Sequence, residues 1–140
     1  MFINEKLLTI SMIKLERFSK ATLRIVMSLV FLYFGYQQIT SPLEWSGFVP
    51  DSALLFGISA MNIVITNALL ELGLGTLLIL GLFTRFSSLI LSLHLFGIAF
   101  SIGFNPLGVR DFGLAFATLV VFMNGKDEFC LDRKWSKKVQ

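Results

Sequence analysis

The chain has 140 residues, 55% of them hydrophobic and 15% charged, with a formal net charge of +3. Soluble domains carry roughly 25% charged residues, so this composition excludes an ordinary water-soluble domain, and no nucleic-acid partner is expected. The one cysteine, Cys130, excludes an internal disulfide framework and any multi-cysteine metal or redox motif in this chain. It reads as a buried or cytosolic free thiol.

The first element is Phe2–Phe18. It mixes Leu7, Leu8, Met12, Leu15 and Phe18 with Glu5, Lys6, Lys14, Glu16 and Arg17, which predicts an amphipathic helix lying on the inner leaflet. Met12 offers a second start codon. Ala21–Ile39 then gives the first membrane span. Basic residues precede it as in a signal peptide, but its exit, GYQQITSPLEW, holds no small-x-small cleavage site, so it is expected to stay as an anchor.

The connection Thr40–Met61 is not simply polar. Pro50-Asp51-Ser52 offers a helix start with a capping side chain, and Ala53–Ile58 is apolar but too short to span. A short helix at the outer interface is expected there, with Trp45 as its amphipathic anchor. The second span is Asn62–Leu82, the third Phe86–Phe104 and the fourth Leu107–Met123, and residues 124–140 form a tail. Ser41-Pro42-Leu43 and Asn105-Pro106-Leu107 each follow an outward-going helix, a faint internal echo. The whole reads as one all-α domain, an integral membrane four-helix bundle.

Lysine and arginine placement sets the expected orientation. Lys6, Lys14, Arg17, Lys20 and Arg24 precede or open the first span. Arg85 sits in the second connection, and Lys126, Arg133, Lys134, Lys137 and Lys138 follow the fourth span. Thr40–Met61 has none. Both termini are therefore expected in the cytoplasm of a multi-pass cell-membrane protein, with Arg110 as an outer-side exception that invites a functional or pairing role.

Glu71 lies near the middle of the second span, where an ionisable group costs at least about 2.5 kcal/mol on insertion scales. Such groups face a bundle interior or a wet cavity. Helical spacing gathers further polar and small residues with it. One stripe is Arg24, Ser28, Phe31, Gly35 and Gln38; a second is Asn67, Glu71 and Gly75. A third is Ser87, Leu91, His94, Ile98, Ser101 and Asn105, and a fourth is Asp111, Ala115, Thr118 and Phe122 with Arg110 alongside. Converging, they make a polar seam inside a lipid-facing shell.

Glu71 is about 16 Å and His94 about 12 Å from the inner ends of their spans at 1.5 Å per residue, so the two are expected to meet near the midplane. Gln38, Asn105, Arg110 and Asp111 gather near the outer mouth. Arg24, about 5 Å from the inner edge, is expected to snorkel to the headgroups. A Glu–His pair inside a bundle is compatible with a structural hydrogen bond or with a functional site. Arg110–Asp111 is likewise compatible with a helix start.

FLYFGYQQI, SPLEWSGFVP, ELGLGTLLILGLFTRFSSLILSLHL and RDFGLAFATLVVF, with a trailing G-x-D and L-D, resemble the DoxX family. The resemblance runs from Arg24 to Asp132. It departs at Gln37 and Gln38, where many members carry a basic residue. It implies a four-helix membrane fold and, through a related small subunit of a thiosulfate:quinone oxidoreductase, a place in a membrane redox complex.

Three functions remain open at this point. The first is a subunit that contacts the quinone pool through the Glu71, His94, Asn67, Arg110, Asp111, Gln38 and Arg24 seam, beside a soluble or membrane oxidoreductase. The chain holds no haem-ligand pair, iron–sulfur motif or dinucleotide fingerprint, so no cofactor of its own is expected, and a quinone would be the bound group. The second is a non-enzymatic scaffold or assembly partner. The third is a small-solute or proton conduit, for which a homo-oligomer would supply the room that four short helices lack.

Overall fold

A computed structural model describes residues 2–55 and 57–136. Its elements are α1 (Phe2–Thr40), α2 (Pro42–Ser46), α3 (Asp51–Leu54), α4 (Ala60–Leu80), α5 (Thr84–Ile102), α6 (Pro106–Asn124) and α7 (Leu131–Ser136), with no strand among the described residues. The four long helices α1, α4, α5 and α6 are each long and apolar enough to cross a membrane. Their bounds fall within a few residues of the apolar runs, apart from the start of α1.

Local chemistry explains most helix ends. The Ser59 hydroxyl accepts from the Asn62 N–H at 3.3 Å and starts α4. Asn105 Oδ1 accepts from Leu107 and Gly108 N–H at 2.9 and 3.0 Å, with Pro106 in the first turn of α6. That is the pairing of a side-chain cap with a proline whose missing N–H costs nothing there. Gly81 ends α4 at φ 69°, in the left-handed region that glycine reaches without strain. A glycine is needed there for a second reason: a Cβ would lie 2.6 Å from Cys130 Cα.

Two expectations are corrected at the periphery. Phe2–Phe18 is not a helix of its own, since α1 runs unbroken from Phe2 to Thr40. In the long connection, Asp51 does not cap α3, which starts after Pro50 with no side-chain capping bond. The connection also contains α2, which the sequence reading did not separate.

The long helices associate as two close pairs, α1 with α4 and α5 with α6. Glycines permit the first approach: a Cβ on Gly35 would lie 2.8 Å from Leu72 Cγ and 3.1 Å from the Ala68 carbonyl oxygen. Across α5 and α6, the buried Ser92 hydroxyl donates to the Ala115 carbonyl at 2.9 Å. Met27, Phe31, Leu78, Leu91, Leu95 and Val121 fill the centre. Large apolar side chains such as Leu69, Leu93, Phe100 and Met123 point outward, which suits a surface solvated by lipid rather than water.

The seam is real along most of its length. Arg24, Ser28, Phe31, Gly35 and Gln38 are all buried, as are Glu71, Gly75, Ser87, Leu91, Asp111, Ala115 and Thr118. The α5 stripe turns outward at Ser101, which is exposed.

Candidate functional site

The seam holds two polar clusters, one at each end of the bundle. The first lies where α4 turns into α5 and the segment after α6 folds back. Arg24, 2% exposed, donates from Nε to Asp127 Oδ2 at 2.6 Å and from Nη2 to Oδ1 at 3.3 Å. Its Nη1 donates to the Leu78 and Ile79 carbonyls, both at 2.8 Å. Those carbonyls belong to the last turn of α4, where intrahelical partners run out and the helix dipole favours a cation. Asp127 also accepts from the Phe129 N–H at 2.9 Å. Burial works against its ionisation, but the hydrogen bond from Arg24, the Phe129 N–H and the Arg24 charge outweigh it and hold the carboxyl below its ordinary range.

Arg24 is therefore no snorkelling anchor. It is the centre of a staple, and its partner lies 103 residues away in a segment read only as a tail. Asp132 completes the closure by accepting from the Thr84 N–H at 3.1 Å, at the start of α5. Cys130 is fully buried beside Gly81. Arg17 and Arg133 both pair with Glu128 at the rim.

The second cluster lines a cavity of about 450 Å³ between the α1/α4 pair and the α5/α6 pair. Gln38, Asn67, Glu71, His94, Arg110 and Asp111 all border it. Six of the seven seam residues singled out in the sequence thus share one space, and only Arg24 stands apart. Gln38 Nε2 donates to Glu71 Oε2 at 2.9 Å. Glu71 Oε1 faces His94 Nε2 at 3.7 Å, close enough to interact and too long for a direct hydrogen bond. Gln38 Oε1 and His94 Nε2 are buried and make no hydrogen bond within the protein.

Arg110 and Asp111 form the mouth. Arg110 Nε donates to Asp111 Oδ1 at 2.8 Å, and the guanidinium lies 4.7 Å from the centre of the Phe34 ring. Asp111 is buried and the Arg110 side chain is 38% exposed. The arginine is thus held by its neighbour and a ring face rather than turned fully inward to Glu71 or Gln38.

Aromatic side chains make much of the wall, which sequence reasoning did not assign. Phe31 and Phe34 line it from α1. Trp45 of α2 stands edge-on to Phe34 at 5.8 Å and 6.0 Å from Phe48. Trp45 is half-buried over the cavity. The signal for it was the aromatic spacing Phe34, Trp45, Phe48 around a proline-bounded connection, which only the fold of α2 brings together. Among the described residues, no group of three His, Cys, Asp or Glu side chains is placed to hold a metal ion.

No curated protein and no solved structure matches the chain. The DoxX family model matches residues 19–103, more than half of it, running from the start of the buried part of α1 to the end of α5. The RDFGLA block at 110–115 lies beyond that match. With four apolar helices of spanning length and this match, the chain is a multi-pass membrane protein that belongs to the DoxX family.

Proposed function

We propose that this protein is the membrane subunit of a redox complex and that its cavity holds the head of a lipid-soluble quinone. The observation that carries the reading is the cavity's composition: apolar and aromatic walls closing on a buried Gln38–Glu71–His94 cluster. Ligand pockets of this kind combine a mostly apolar lining with a few convergent polar groups. A quinone ring stacks on aromatic faces, and its oxygens need hydrogen-bond partners where the ring is out of water.

Quinone chemistry also moves protons, and a carboxylate beside an imidazole can store and pass one at the ring oxygen. Electrons would come from a soluble or membrane oxidoreductase partner. Family membership alone carries no chemistry; the cavity is the reason for the reading. The charge distribution supports an orientation with both termini cytoplasmic and the α2–α3 connection outside. Cysteine introduced at Ser46 is then labelled from outside, and cysteine at Ser136 only after permeabilisation; the reverse pattern overturns the orientation.

The test of function uses Trp45 as the reporter. With Trp135 replaced by Phe, Trp45 is the one remaining tryptophan. In lipid nanodiscs, a short-chain benzoquinone should quench its emission saturably, above the level seen with indole dissolved in empty nanodiscs. Extraction of the protein purified from native membranes should also yield quinone. Linear, unsaturable quenching together with quinone-free protein overturns the proposal.

A further inference from the structure

The buried polar end of the cavity leaves two acceptors without a donor from the protein. The Gln38 amide is oriented by Glu71: its N–H₂ must face the carboxylate oxygen it bonds at 2.9 Å, so its carbonyl faces elsewhere. That carbonyl oxygen accepts no hydrogen bond from the protein, in a residue only 5% exposed. Glu71 Oε1 also lacks a hydrogen bond, with His94 Nε2 at 3.7 Å. The ring nitrogen beside them can donate in one tautomer, and the Asn67 amide and Arg110 guanidinium on the same cavity make no hydrogen bond to either acceptor.

A quinone carbonyl can only accept, so whichever donor of the cavity it uses, it leaves Gln38 Oε1 without a partner. A hydroquinone hydroxyl both donates and accepts. It can give its proton to Gln38 Oε1 or Glu71 Oε1 and still receive from His94. Leaving a buried acceptor unpaired costs more than forming the bond gains, so the difference between the two ligands should be large enough to measure.

We infer that the cavity discriminates between the redox forms of its ligand and binds the hydroxyl-bearing, reduced form more tightly, with Gln38 Oε1 as the discriminating acceptor. This rests on the quinone reading above. It assigns Gln38 a role in specificity beyond holding Glu71.

Three probes differing only at the ring oxygens test it. They are a decyl-substituted benzoquinone, its anaerobically reduced hydroquinone, and the dimethyl ether of that hydroquinone. Each is equilibrated by dialysis with the protein in nanodiscs, with empty nanodiscs as the blank for partition into lipid. The hydroquinone should bind about tenfold more tightly than the quinone, the worth of one unpaired buried acceptor. The dimethyl ether has the oxygens but no proton to donate, and should bind no better than the quinone. Gln38→Leu should cut the ratio of hydroquinone to quinone affinity severalfold, with Glu71 still able to accept from the hydroxyl.

Equal binding of quinone and hydroquinone, or tighter binding of the quinone, overturns the inference and leaves the quinone reading standing. A preference for hydroquinone undiminished by Gln38→Leu overturns the assignment to Gln38. Binding of none of the three overturns both readings together. The comparison of probes on the unsubstituted protein needs no variant to fold.

Discussion

The two ends of the seam bury charge in opposite ways. At the Arg24 end, a guanidinium is matched bond for bond by one carboxylate and two helix-end carbonyls. At the Glu71 end, a carboxylate receives one amide and faces an imidazole beyond bonding distance, with two buried polar atoms left over. A buried charge that is fully paired holds structure together, and breaking it is expensive. Polar groups left under-satisfied beside a cavity have capacity to spare for a ligand. The contrast separates a structural end from a binding end on the same helices.

The largest expected effect comes from breaking the closed end. Arg24→Ala leaves Asp127 buried without its cation and should destabilise the bundle by about 3–5 kcal/mol, read as denaturant unfolding in detergent. Arg24→Leu combined with Asp127→Leu should recover part of that loss. Recovery stays incomplete, because the Ile79 carbonyl still loses the Arg24 donor and the Phe129 N–H loses its acceptor, while Leu78 keeps only the Gly81 N–H. A loss below about 1 kcal/mol for Arg24→Ala, the range of exposed ion pairs, would erase the distinction between the two ends.

Acid should act on the same end. Asp127 has its folded-state pKa below the ordinary 3.8. Its contribution is therefore present in full above the unfolded value and is lost as pH falls through the lower folded value. The staple should hold near pH 4 and release only in stronger acid, and Asp127→Asn should flatten that part of the stability–pH curve. Unfolding of the parent and of Asp127→Asn with the same acid midpoint would contradict this.

Gly81→Ala ranks next. It puts a Cβ at φ 69° and 2.6 Å from Cys130 Cα, where strain and overpacking together should cost roughly 2–4 kcal/mol. The loss should be accompanied by exposure of the tail to protease. Gly73→Ala, on the lipid side of α4 with open space around it, is the control and should be close to neutral.

The smallest effect on stability belongs to the open end. Glu71→Gln keeps the shape and most of the hydrogen bonding, and should change unfolding by about 1 kcal/mol or less. It should nevertheless abolish proton-coupled turnover in the assembled complex. A Glu71→Gln variant as damaged in folding as Arg24→Ala would make both ends structural and sink the proposed function.

Much of this division was legible in the sequence, and the reasons are specific. The apolar runs Asn62–Leu82, Phe86–Phe104 and Leu107–Met123 fall within two residues of α4, α5 and α6, because membrane helices leave little freedom in length. Glu71 and His94 share a depth, and periodicity alone places both on inward stripes. Arg24 was misjudged because distance to the membrane edge speaks only of reach to water. The decisive fact was a carboxylate in Gly125-Lys126-Asp127, brought back by a fold that local pattern does not encode. The place of Trp45 over the cavity was hidden for a related reason: its contacts with Phe34 and Phe48 come from the fold of α2, which local pattern does not encode. The continuation of Phe2–Phe18 into the first span was not legible from the change in composition between them, because no glycine or proline separates the two and one helix runs through both.

Cys130 has one further consequence. It is the chain's single thiol and is wholly enclosed beside the turn between α4 and α5. A thiol reagent can reach it only after the C-terminal segment has peeled away. The rate of labelling in excess reagent is therefore the opening rate of that segment, measured on the natural sequence without an added probe. Protein in nanodiscs and protein in detergent can be timed the same way, which turns a packing detail into a clock for local unfolding.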